Sequence, residues 1–370
     1  MTFLIFAFVL GLLIIVHEAG HFFMARKIGV RVEEFAFGFG PKLLGWKKGD
    51  TDYRLCAIPL GGYVKMLGDE KALCKGARDE YFSQPPGHRA LIILMGPVVN
   101  YLLAYLCFVV VFWIGAIDLD ASAKAVPARV DKVMAGAPAM QAGVLSGDVV
   151  TAIDGKKVAN WAEMQEIVMA SRGRTIRVAV TRSGQEVRLD ITPRLETTKD
   201  IFGKEHQVSR IGIQPRQFDK GDNLVVRRYG FFQAFVKGGE ELVTITVKTY
   251  QSLWEIVTGQ RSAREGMTGL IGIFFIVQFA AGVGFSFLLH IVGVISASLA
   301  LFNVLPLIPL DGGHLALLGL EKVRGRGLSA RTEDVVTKAG FGLIIALAVF
   351  VFYLDFERIG LIDKVTRFFK

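Results

Sequence analysis

Cysteine is scarce in this chain of 370 residues. The three present, Cys56, Cys74 and Cys107, are odd in number and lack metal-ligand spacing, and Cys107 lies inside an apolar run. That argues against a disulfide framework and against a cysteine-based zinc site, and it leaves three free thiols. Charge is also thin, at 21% of residues against 52% hydrophobic, with 28 Phe and a mean hydropathy of +0.44. A soluble domain carries less apolar material than this, so a multi-span membrane protein is expected. Missing, too, is any positive residue ahead of the first apolar run, which only Met1 and Thr2 precede. With no small-residue cleavage site after it, that run reads as a retained helix rather than a signal peptide. The net charge of +9 lies beside apolar spans, where it reports membrane orientation, and no nucleic-acid partner is expected.

Four spans are predicted, over residues 1–25, 90–117, 285–305 and 339–354. The segment between the first two carries Arg26, Lys27, Arg31, Lys42, Lys47, Lys48, Arg54 and Lys65, and the loop after the third carries Lys322, Arg324, Arg326 and Arg331. The positive-inside rule puts both on the cytoplasmic side and the long segment from about 118 to 284 on the opposite face. Within 31–66, two extended runs flank KKGDTD, which predicts a β-region near the membrane. Pro59, Gly61 and Gly62 predict an edge strand or bent loop there rather than a central strand.

The outer segment predicts a compact α+β domain over about 124–195, within a 118–200 boundary. Strands are expected near 127–133, 148–153, 174–181 and 186–192, and a helix over 161–170. A connector, 201–284, contains YGFFQAFVKGGEELVTITVKTYQSLWEIVTG (229–259). Its spacing suits a helix at the membrane interface or one packed on the preceding domain. The remaining boundaries are 1–117 for the first membrane half and 285–370 for the second.

Chemistry concentrates at IVHEAGHFF, residues 15–23, which continues fourteen apolar residues from Phe3 to Val16. His17 and His21 are four apart, so a helix stacks them on one face, where both imidazoles reach one metal ion. Glu18 starts on the adjacent surface, placed to take and return a proton. One histidine snorkelling to the interface would be unremarkable, but His-Glu-His on one stripe near the lipid core points to function. Zinc needs a third protein ligand and an open position. NVLPLIPLDGGH (303–314) offers Asp311 beyond Pro306 and Pro309, which break the helix. Taken alone, Asp311 would read as a helix-ending turn. His314 is left out of the ligand set, and His88, His206 and His290 are read as structural or solvated.

HEAGH in the first span, GGYVKM (61–66), GPVVN (96–100) in the second span and N-x-x-P-x-x-x-L-D-G (303–312) together resemble the site-2 protease family of intramembrane zinc metalloproteases. The likeness extends to the bacterial type that regulates extracytoplasmic stress signalling. It also includes GAPAMQAGVLSGDVVTAIDGKKV (136–158), which resembles a bacterial PDZ domain, a module that adds peptides to a sheet edge; a mere spacer is the competing reading. The implied fold is a polytopic α-helical membrane protein of about four transmembrane helices, with a membrane-associated β-region and an inserted α+β PDZ domain. The resemblance implies Zn2+ held by His17, His21 and Asp311, with Glu18 as catalytic base. It further implies substrate binding by Asn303 and by Gly61, Gly62, Tyr63, Val64, Lys65 and Met66. The implied partners are the lipid bilayer, a pre-cleaved single-span protein as substrate and a peptide at the PDZ domain. The implied setting is the bacterial inner membrane, with the zinc site toward the cytoplasm and the PDZ domain outside. Two departures stand out: one PDZ domain where the best-known members have two, and Thr268-Gly269-Leu270 where many have Ser-Gly-Pro. A metal-binding transporter or a PDZ-bearing scaffold is the alternative, although ionisable residues line no second pathway and a scaffold has no use for Glu18.

Overall fold

The computed structural model of the protein describes residues 2–71, 74–199, 205–215, 224–262, 267–327 and 329–358; the side chains of Pro59, His206 and Arg331 lie outside the described residues. The chain forms two compact units, one of residues 1–114 and 229–356 and one built on residues 115–228. Four helices are long and apolar enough to cross a membrane.

In the first unit, α1 spans Thr2–Ile28 and leads into two long strands, β1 (Val32–Lys48) and β2 (Thr51–Met66), followed by α2 (Pro86–Ile114). Each strand bends into two arms. Residues 32–37 pair antiparallel with 62–66, from Val32 with Met66 to Phe37 with Gly62, whereas Glu34 to Phe37 advance in step with Asp52 to Leu55. The arms 42–48 and 51–56 then close a hairpin at Gly49-Asp50. The order across the sheet is therefore 62–66, 32–37, 52–55, 42–48, which leaves the 62–66 arm at an edge. A polar ladder fixes this register on one face. Tyr63 Oη donates to Glu34 Oε2 at 2.8 Å, Arg54 bridges Glu34 (2.6 Å) and Asp52 (2.7 Å), and Lys42 Nζ reaches Asp52 at 2.6 Å. Pro59, Gly61 and Gly62 do not end the strand. They fall where its register shifts, and Gly61 takes φ +120° against the Phe39 ring, where a side chain would not fit.

The second unit opens with β3 (Ala116–Asp118), α3 (Leu119–Ala125), β4 (Lys132–Val133) and α4 (Pro138–Gln141). Next come β5 (Val149–Ile153), β6 (Lys156–Lys157), α5 (Trp161–Ala170), β7 (Ile176–Arg182) and β8 (Gln185–Ile191), and the sheet order is β6-β5-β7-β8. Alternate residues of β7, Ile176, Val178 and Val180, are buried with Val130, Ile153, Met164 and Ile191, as half-buried strands require. Helix α5 starts where the sequence places it because Asn160 caps it. The Asn160 side chain accepts from Glu163 N at 2.9 Å, and the Glu163 carboxylate accepts from Ala159 N at 2.9 Å. Asp148, 1% exposed, is held by Arg182 at 2.8 Å, and that guanidinium keeps its carboxyl below the usual range. The unit continues past residue 200 through β9 (Arg194–Lys199), β10 (Glu205–Arg210), β11 (Ile213–Gln214) and β12 (Val225–Arg227), where the sequence predicts a connector. These strands pair within the unit, β11 with β4 and β12 with β3, contacts between residues some 80 to 110 apart that local patterning does not reveal.

The chain returns to the first unit with α6 (Phe231–Val257), α7 (Leu270–Val283), α8 (Phe285–Asn303), α9 (Asp311–Arg324) and α10 (Ala330–Arg358). Helix α6 buries Ala234, Gly238 and Leu242, one stripe at four-residue spacing, and Gly238 lies against Val109 of α2. Its outer face exposes Phe232 and Trp254. The apolar block 270–310 divides at Gly284, so the short α7 precedes the spanning α8. The amides that open α7 are satisfied from far along the chain: buried Asp355 accepts from Gly269 N, Ile271 N and Gly272 N at 3.1, 3.0 and 3.2 Å. The last helix runs well beyond the predicted 339–354.

Candidate metal centre

Helix α1 places His17 and His21 one turn apart, and both are about 90% buried. Their room comes from α2, because a Cβ on Gly96 would collide with the His21 ring and come within 2.9 Å of His17 Cε1. Gly20 of α1 in turn faces the Met95 carbonyl with no space for a side chain. The two helices therefore cross at backbone contact, as small residues permit within a bilayer.

The helix that leads to Asp311 breaks at the prolines, where the sequence predicts, and Asp311 then opens a further helix. Helix α8 stops at Asn303, a tight turn follows, and Asp311 is the first residue of the next helix, α9. Gly312 and Gly313 let that turn fold back, since a Cβ on either would strike the backbone of residues 304–308. At the amino end of α9 a carboxylate sits in the favourable field of the helix. The helix is tied down by Arg89, buried on α2, whose Nη2 meets Glu321 Oε1 at 2.6 Å while its guanidinium lies over the Phe82 ring. Arg89→Met is expected to remove the buried partner of Glu321, to destabilise the protein by about 2 to 4 kcal/mol and to let Asp311 drift. Thermal unfolding and zinc content of the purified variant check this, and Arg89→Met combined with Glu321→Leu should recover part of the loss.

The three side chains converge. Asp311 Oδ2 is 3.1 Å from His17 Nε2 and 3.5 Å from His21 Nε2, and the two Nε2 atoms are 3.2 Å apart. Ligands at 2.0–2.1 Å around a tetrahedral ion are separated by about 3.3 Å, so the triangle has the size of one face of a zinc site. Its charge pattern agrees. His21 Nδ1 donates to the Ile92 carbonyl at 2.9 Å, which turns a lone pair at Nε2 inward, and Asp311 Oδ2 is buried with no hydrogen-bond partner. Inward-facing acceptors at this distance are stabilised by a cation or a shared proton between them. Among the described residues this is the single cluster of histidine, cysteine and acidic side chains able to hold a metal ion.

The triad opens on a cavity of about 530 Å3 lined also by Glu18, Asn303, Gly62, Tyr63, Val64, Met66 and His314. The sheet edge comes closest at Gly62, whose missing side chain leaves room for Glu18; a Cβ there would lie 3.1 Å from Glu18 Cγ. Of the six residues predicted over 61–66, Gly61 and Lys65 do not line the cavity: Gly61 faces Phe39, and Lys65 pairs with Glu33 at 3.2 Å. Strand alternation turns Lys65 away from the face that Val64 and Met66 share. Asp69 and Tyr81 line the cavity as well, and no motif announces either. Far from the cavity, His290 stacks on Phe287 and lies 3.7 Å from Glu241 of α6, a pairing between distant segments.

Comparison with known proteins gives this arrangement a context. The model of peptidase family M50 matches residues 5–347. A protein of Agrobacterium fabrum that carries the name zinc metalloprotease is 34% identical over 368 residues, covering 96% of this chain and 95% of the relative. One of the same name from Clostridium acetobutylicum is 33% identical, covering 93% and 94%. The regulator of sigma-E protease RseP of Escherichia coli is 28% identical, covering 96% and 98%. The chain therefore belongs to peptidase family M50, the site-2 protease family of intramembrane zinc metalloproteases.

Proposed function

We propose that this protein cuts a transmembrane segment of another membrane protein at the His17, His21 and Asp311 site, after that segment has unwound and paired with the 62–66 arm. One observation carries the reading: the three ligand atoms, Glu18 and a sheet edge that no described strand pairs face the same cavity. A metal-binding transporter would account for the three ligands but not for Glu18 and the sheet edge beside them, and a scaffold accounts for neither.

A spanning helix hides its carbonyls in its own hydrogen bonds, so it has to become extended before its backbone can be attacked. The outer edge of the 62–66 arm supplies backbone partners for such a strand, and the Tyr63, Glu34, Arg54 ladder holds that edge in register. His17, His21 and Asp311 would hold zinc, which when bound acidifies water and polarises the scissile carbonyl. Glu18 takes the proton from the attacking water and passes it to the leaving amine. Asn303, on the cavity wall at the end of α8, donates to the oxyanion that develops during attack.

The same reading assigns the second unit as a PDZ domain. A groove of about 410 Å3 runs between α5, through Trp161, Met164 and Val168, and residues 208–215. Strand β11 pairs with β4 on one side only among the described strands, so a trimmed substrate's extended peptide fits along its other edge. The basic residues near the ends of α1 and α9 support an orientation in a bacterial inner membrane with the zinc site toward the cytoplasm and the PDZ domain outside.

The test is cleavage of a model single-span substrate by the purified protein in lipid vesicles. Chelation is expected to abolish cutting and zinc to restore it, and helix-breaking residues near the cut should raise the rate about tenfold or more. Cutting that survives complete removal of the metal would overturn the proposal.

A further inference from the structure

The structure accounts for the orientation of His21 but leaves that of His17 to be explained. A metal-binding imidazole is fixed by the hydrogen bond of its other nitrogen, which decides the tautomer presented to the ion. For His21 that bond goes to the Ile92 carbonyl. For His17 the group within reach is the side chain of Asn100, 3.5 Å from Nδ1. Ile92, Gly96 and Asn100 lie at four-residue spacing on α2, hence on one stripe, and that stripe faces α1 with Ile92 at His21, Gly96 between the rings and Asn100 at His17.

Asn100 is fully buried, and its Oδ1 has no hydrogen-bond partner. An orphaned buried acceptor is unfavourable and calls for an explanation. Its Nδ2 points at His17 Nδ1, which demands a lone pair there and a proton on Nε2, aimed at the carboxylate of Asp311. That tautomer cannot ligate a metal. The two ends of an amide are distinguished only by their surroundings. Turning this one by half a revolution gives Oδ1 its partner and frees the Nε2 lone pair of His17.

We propose that Asn100 is a positioning residue for the metal centre: with its amide turned, Oδ1 accepts the Nδ1 proton of His17 and holds that ring in the ligating tautomer. The inference rests on the assignment of His17, His21 and Asp311 as the zinc site. It gives GPVVN a purpose, since Gly96 makes room for the two rings and Asn100 orients one of them.

The test is zinc affinity of the purified protein, measured by competition with a chromophoric chelator, for the wild type and for Asn100→Leu, Asn100→Asp and His17→Ala. Asn100→Leu keeps the volume and removes the acceptor, and should weaken zinc binding about 10- to 100-fold with the metal-free melting profile intact. Asn100→Asp restores an acceptor and should bring affinity back to within about threefold of wild type. Wild-type affinity in Asn100→Leu, or a loss in Asn100→Asp as large as in Asn100→Leu, would overturn the proposal. Undiminished affinity in His17→Ala would instead overturn the underlying zinc assignment, so the two failures are separable. Should Asn100→Leu not fold, nitrogen NMR of histidine-labelled, zinc-loaded wild type decides, because the proposal requires the proton of His17 on Nδ1 and the metal on Nε2.

Discussion

Glu18→Gln is expected to stop proteolysis while the protein stays folded and keeps its zinc. The substitution changes one oxygen to an amide nitrogen and preserves volume, so the close approach between Glu18 and Gly62 is undisturbed. The three ligand atoms belong to other residues. What disappears is the ability to take a proton from water and return it to the leaving amine, a contribution worth on the order of a thousandfold in rate. Cleavage of a single-span substrate in vesicles, set beside metal content by elemental analysis, separates the two properties. Unchanged cleavage at full zinc occupancy would remove Glu18 from the mechanism, and lost zinc would move it into the ligand set.

Gly96→Ala should be nearly as damaging although it adds a single methyl group. Its Cβ has no space, because it would sit within the contact radius of His21 and against His17. Either both rings turn away or α1 and α2 separate, and separation would also open the Gly20 crossing. A ligand displaced by about 1 Å costs on the order of a hundredfold, so zinc affinity and cleavage are expected to fall together by at least that much. The control is Gly319→Ala on α9, where the added methyl meets nothing within 4 Å and replaces a poor helix former with the best one. That variant should bind zinc and cut substrate as the wild type does. Equal behaviour of the two alanine variants would show that the crossing is not sterically determined.

Local pattern made much of this legible. The HEAGH spacing reports a helical face directly, and the prolines and glycines of 303–313 mark a chain reversal wherever they occur. The cap of α5 at Asn160 can be read from Asn-x-x-Glu, which places the helix to the residue. What local pattern does not carry is partnership across distance. The sheet of the first unit mixes antiparallel and parallel neighbours because 32–37 is flanked by two arms of a single later strand, and no periodicity reveals which arm lies where. Arg89 and Glu321 are 232 residues apart, and each alone reads as an interfacial charge. Asn100 was in plain sight within GPVVN, but its role depends on which residue of α1 it faces, and that requires the crossing. Strands β11 and β12 escape local pattern for the same reason, since their partners β4 and β3 lie at the start of the unit.

Asp355 has a consequence for the order in which the molecule is made. The amides it satisfies belong to α7, which leaves the ribosome more than eighty residues earlier. Until the last span enters the bilayer, the start of α7 has no protein partner for those three groups, and an apolar surrounding penalises each of them. Assembly of the membrane unit therefore passes through a stage in which α7 is incompletely capped, and docking of α10 completes a turn begun more than eighty residues before it.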